Sequence, residues 1–98
     1  LLSGAFDFQH FVEMKAYARL VRSLCYSAQG HDDKAVRVLS GIVVELALEN
    51  RPEIHAVVLL NMSIFMAKLR SHRQAFEVCD AAWLILQAKT GQKKDADW

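Results

Sequence analysis

The segment from Ile54 to Leu69, Ile-His-Ala-Val-Val-Leu-Leu-Asn-Met-Ser-Ile-Phe-Met-Ala-Lys-Leu, constrains this chain more than any other. Wound as a helix it is apolar on nearly every side, with only His55, Asn61, Ser63 and Lys68 interrupting it. A surface helix carries an apolar stripe and a polar face, whereas a helix apolar all round needs neighbours on several sides. A membrane span is the first alternative. The uninterrupted stretch between His55 and Lys68 is about 12 residues, or ~18 Å of helix against the ~30 Å of a hydrocarbon core. The segment is therefore expected to be a core helix, and the remaining chain or a partner must cover it.

Ninety-eight residues make one domain or a part of one, with room for a single modest core. The first residues are Leu-Leu and not Met, which reads as a trimmed or internal start. Hydrophobic residues make up 53% of the chain, enough to fold and to leave apolar surface for binding. Lys and Arg number 12 and Asp and Glu 11, a net charge of +1 without a basic block longer than Lys93-Lys94, so there is no electrostatic footprint for nucleic acid. Cys25 and Cys79 fall on apolar helical stripes and read as buried free thiols of a reducing, cytoplasmic compartment, with a disulfide between them as the lesser reading. His10, His31, His55 and His72 are scattered, with no metal-ligand spacing, and no cofactor is implied.

Along the chain, residues 1–5 read as a frayed start. A long helix is expected from Phe6 to Gln29, with Phe8, Phe11, Val12, Leu20, Val21, Leu24 and Ala28 at spacings of three and four and Lys15, Arg19 and Arg22 on a wet face. Gly30 ends it, and Asp32 and Asp33 favour a new N-terminus. The second helix runs from about Asp33 to about Glu49 on Ala35, Val38, Leu39, Ile42, Val43 and Leu46, with Gly41 inside it as a place of close helix approach. Pro52, suited to a first helical turn, opens the central helix. Arg70 to Arg73 is a turn in which Ser71 and Gln74 have the spacing of a capping box. A fourth helix on Ala75, Val78, Cys79, Ala82, Trp83, Ile85 and Leu86 runs to Lys89, and Thr90-Gly91 stops it, leaving residues 91–98 as a tail. Four helices joined by short turns give antiparallel neighbours, and the absence of alternating β-branched runs excludes a sheet, so the fold class is all-α.

The two halves superpose at an offset of 40 residues: Leu20 on Leu60, Ser23 on Ser63, Tyr26 on Met66, Ala35 on Ala75, Leu39 on Cys79, Ile42 on Ala82. A helix-pair repeat of this order is the signature of an α-solenoid. On these residues the chain resembles the tetratricopeptide repeat (TPR) family. The motif positions are Ser23, Tyr26, Gly30, Ala35, Leu39 and Ile42 in one half and Ser63, Met66, Arg70, Ala75, Cys79 and Ala82 in the other, and Leu60-Asn61-Met62-Ser63 is similar to a run found in many such repeats. Departures are Arg19 and Arg22 where large apolar residues are usual, Arg70 in place of the turn Gly, and a period of 40 against the usual ~34.

The resemblance implies two antiparallel TPR-like hairpins, about residues 6–49 and 53–89, within a helical domain spanning 6–90. It further implies a protein–protein interaction module, an adaptor, scaffold or small chaperone that holds a partner helix or peptide in an apolar groove. The groove positions are Tyr17, Leu20, Leu24 and Ala28 on the first helix and Val57, Leu60, Ile64 and Lys68 on the third. Leu20 and Leu24 stand where one TPR subclass carries carboxylate-gripping Lys and Asn, so that clamp is not expected. The competing reading makes these side chains core, in a piece of a longer solenoid or in an obligate homodimer. An enzyme is not expected. His31-Asp32-Asp33 reads as a turn and helix start, His55 lies near a helix start, and Cys25 has no base at a recognisable spacing.

Overall fold

The computed structural model describes residues 10–91, which form four helices: α1 (Phe11–Ala28), α2 (Asp32–Leu48), α3 (Pro52–Lys68) and α4 (His72–Thr90). No strand occurs among the described residues. The start of the first helix at Phe6, its residue Phe8, the frayed residues 1–5 and the tail beyond Gly91 lie outside the described residues.

Three turns of one geometry set this architecture. Gly30, Asn50 and Arg70 have φ of 84°, 54° and 68° and follow the ends of α1, α2 and α3. At each, the left-handed residue donates its N–H to the carbonyl three back (Ser27, Ala47, Ala67), and the next residue donates to the carbonyl five back (Tyr26, Leu46, Met66). This paired closure satisfies carbonyls that a helix end leaves without partners. The expected capping box at Ser71 is not formed, because Ser71 makes no side-chain cap bond and its N–H closes the preceding turn instead. Only Gly30 adopts the left-handed conformation without a steric penalty; for a side chain such as Arg70 it costs ~1–2 kcal/mol. Glycine adds unfolded-state entropy of ~0.5–1 kcal/mol. Arg70→Gly is therefore expected to stabilise the protein by about 0.5–1 kcal/mol, a rise of a few degrees in a thermal melt. A lower melting temperature would show that the exposed Arg70 side chain makes an offsetting contribution.

Contacts fix how the helices lie. Lys15 Nζ meets Glu45 at 3.1 Å, Arg19 Nη1 reaches the Val38 carbonyl at 3.4 Å, and Ser27 donates to Asp32 at 2.6 Å. The start of α1 therefore lies beside the end of α2. Lys89 meets Glu53 at 3.3 Å, which places the end of α4 beside the start of α3. Further contacts join α2 to α3 and α1 to α3. Glu13 with Arg51 at 3.8 Å and Ser27 with Lys68 at 2.8 Å mark the two ends of the α1–α3 contact. Gly41 admits Arg19: a Cβ there would lie 2.6 Å from the guanidinium Nη1. Lys15 and Arg19 are thus partly buried against α2, and of the basic stripe expected to be wet only Arg22 stands exposed.

The core is shared by all four helices. Val12, Ala16 and Leu20 come from α1, Ala35, Leu39, Ile42 and Leu46 from α2, and Ala82 from α4. The largest share comes from α3: Ile54, Ala56, Val58, Leu59, Met62 and Phe65. Ser23 donates to the Leu20 carbonyl at 2.7 Å and Ser63 to the Leu60 carbonyl at 2.6 Å. Cys25 and Cys79 are free, and both are exposed, contrary to the sequence expectation. Neither cysteine is covered by a described helix.

Candidate functional site

Each of the helices α1 and α3 leaves a line of side chains open to solvent along its length. On α1 these are Tyr17 (57% exposed), Val21 (61%) and Leu24 (51%), followed by Ala28. On α3 they are Val57, Leu60, Ile64 and Lys68, with Ile64 55% exposed. Seven of the eight residues anticipated as groove-lining from the sequence are therefore solvent-accessible. The exception is Leu20, which is buried at 8% and belongs to the core. Val21 takes its place. It stands four residues after Tyr17 and three before Leu24, so it shares their face, as a 3.6-residue turn requires. The equivalent position on α3 is Asn61, whose amide donates to the Val57 carbonyl at 2.9 Å. The signal that would have found Val21 is the spacing 17, 21, 24, 28, which tracks one helical face more closely than 17, 20, 24, 28.

Polar links bracket this surface. At one end the Lys68 ammonium donates to Ser27 Oγ at 2.8 Å and lies 3.8 Å from Asp32, whose carboxylate accepts from Ser27 at 2.6 Å. At the other, Arg51 pairs with Glu13 at 3.8 Å. These links hold α1 and α3 together at both ends while the side chains between them remain apolar. Between these links the surface offers desolvation and shape. The residues considered for chemistry are dispersed: Cys25 is exposed on α1, His31 lies in the α1–α2 turn, Asp32 opens α2, and His55 lies in the first turn of α3. Among the described residues no cluster of His, Cys, Asp or Glu could hold a metal ion, and no helix is long and apolar enough to cross a membrane.

A separate cavity of about 540 Å³ opens where the end of α2, the start of α3 and the end of α4 meet. Leu46 and Ile85 give it an apolar floor, and Asn50, Arg51, His55 and Lys89 a polar rim. Lys89 and Arg51 are engaged by Glu53 and Glu13 respectively. The rim is therefore charge-compensated and does not coincide with the α1–α3 surface. Burial at this rim lowers the His55 pKa from its ordinary value of 6.5. The unfolded chain then binds a proton at His55 that the folded protein resists. His55 consequently contributes stability above pH 6.5 that is lost as pH falls through its lowered folded pKa. Melting temperatures measured from pH 7.5 down to pH 4.5 are expected to fall less steeply in His55→Gln than in the wild type. Identical profiles would contradict this assignment.

No family model, curated relative or solved structure matches the chain.

Proposed function

We propose that the chain is a TPR-like pair of antiparallel helical hairpins, of α-solenoid type, and that it works as a protein–protein interaction module. It binds a partner's amphipathic helix or extended peptide along the apolar face of α1 and α3. The observation that carries this reading is the exposure of Tyr17, Val21 and Leu24 on one helix together with Val57, Leu60 and Ile64 on a helix in contact with it. Soluble monomers rarely expose apolar side chains in continuous rows without a use for them. Helix-in-groove recognition needs such rows, read by anchors at spacings of three and four residues. The turn geometry repeated at Gly30, Asn50 and Arg70, and the matching serine bonds at positions 23 and 63, support the repeat.

The test is selection from a display library of random 18-residue peptides on the immobilised protein, with depletion on the Leu24→Asp/Ile64→Asp double variant. Enriched peptides are expected to carry an amphipathic pattern and to lose at least about tenfold in affinity for the double variant. Each buried leucine or isoleucine contact contributes ~1.5–3 kcal/mol. Failure to enrich any peptide, or equal binding to the double variant, would overturn the proposal.

A further inference from the structure

The internal repeat permits a comparison of each position with its own copy 40 residues away, and the copies differ in one systematic way. On α2, Leu39 is fully buried and Val36 and Val43 are half-buried against the core. Their counterparts on α4 are Cys79, which is exposed, Phe76, 73% exposed, and Trp83, 37% exposed. On α1, Leu20 is 8% exposed, while its counterpart Leu60 on α3 is 37% exposed. The difference has one physical source. Helix α3 packs against both α2 and α1, and no described helix takes the corresponding place beside α4 and α3. The second hairpin thus presents a seat that the first hairpin has already filled, and the filling is on view.

The occupant can be read from α3 itself. Ile54, Val58, Met62 and Phe65 are all buried, whereas their α1 counterparts Met14, Ala18, Arg22 and Cys25 are all exposed. These four positions, at spacings of four, four and three, form one helical face that only a helix with neighbours on the preceding side buries. We infer that the outer face of α4, with Phe76, Cys79 and Trp83, and the adjoining Leu60 of α3 form a second docking site. It accepts an amphipathic helix from another polypeptide, seated as α3 sits on α2 and α1 and presenting large apolar residues at the spacing of Ile54, Val58, Met62 and Phe65. This surface shares Leu60 with the α1–α3 row but includes none of Tyr17, Val21 and Leu24, and the inference stands whether or not that row binds a peptide.

The probe is a synthetic peptide with the sequence of residues 52–69, the helix whose docking supplies the template. It is titrated into the full 98-residue chain carrying Trp98→Phe, so that Trp83 reports alone. The expected result is a saturable blue shift of Trp83 emission. Alkylation of Cys79 by N-ethylmaleimide should slow at least about tenfold at saturation while Cys25 reacts at its free rate. Phe76→Asp, with an unchanged circular dichroism spectrum, should weaken binding at least about tenfold, and Leu24→Asp should leave it unchanged. No saturation up to about 1 mM peptide, a dissociation constant beyond the weakest specific range, would overturn the inference. So would binding that Leu24→Asp abolishes and Phe76→Asp does not, since the peptide would then lie on the α1–α3 face.

Discussion

Phe65→Ala is expected to destabilise the protein by about 3–5 kcal/mol. The ring is 2% exposed and lies in the cluster to which all four helices contribute. Truncation to Ala removes the transfer free energy of the ring and leaves a void that close-packed neighbours refill only in part. A chain of this size has a total stability of roughly 5–15 kcal/mol at ~0.05–0.15 kcal/mol per residue. The variant therefore stands near the edge of folding, with a midpoint in urea far below that of the wild type. A loss under about 1 kcal/mol would mean that α3 is not the element on which the other helices assemble.

The second large effect is a contrast between neighbours on one helix. Leu20→Asp is expected to unfold the protein or to cost about 3–5 kcal/mol, because it places an unpaired carboxylate in an apolar site. Leu24→Asp, one turn further along, is expected to cost about 1 kcal/mol or less, mainly through the lower helix propensity of Asp. The two sites differ only in what surrounds them: Leu20 is 8% exposed and Leu24 51%. Urea unfolding of the two variants side by side reads the difference directly. Equal losses would place Leu24 in a packed environment and remove it from any binding surface.

Where elements begin and end was largely legible from the sequence, and the reasons are local. Gly30, Pro52 and Gly91 each carry a backbone preference that needs no tertiary context, and α2, α3 and α4 begin or end within a residue or two of where those signals place them. The turn at Arg70 was placed correctly, but its left-handed geometry was hidden, because Arg is an unfavourable residue for it. What was less legible is which apolar residues are covered. Periodicity identifies a stripe without saying whether a neighbour exists to bury it. Cys25 and Cys79 lie on such stripes and are exposed because α1 and α4 are the outer helices of the described array. Leu20 lies on the same kind of stripe and is buried because α1 meets both α2 and α3. The exposed apolar row was therefore legible to within one residue of register on α1, where Val21 and not Leu20 continues the face of Tyr17 and Leu24. The wet stripe of Lys15, Arg19 and Arg22 was misjudged for a related reason. Long basic side chains lie along apolar surface, and Gly41 on α2 leaves room for Arg19 to do so.

The central claim is that the row on α1 and α3 is open on a protein that folds by itself. Molar mass by light scattering after size exclusion, over a hundredfold dilution, tests it most directly. The account predicts a helical species near 11.1 kDa at every concentration, unchanged in mass by Leu24→Asp or Ile64→Asp. A dimer that persists across the dilution series and that either substitution splits into monomers would contradict it. The row would then be the interface of an obligate homodimer, closed to any other partner.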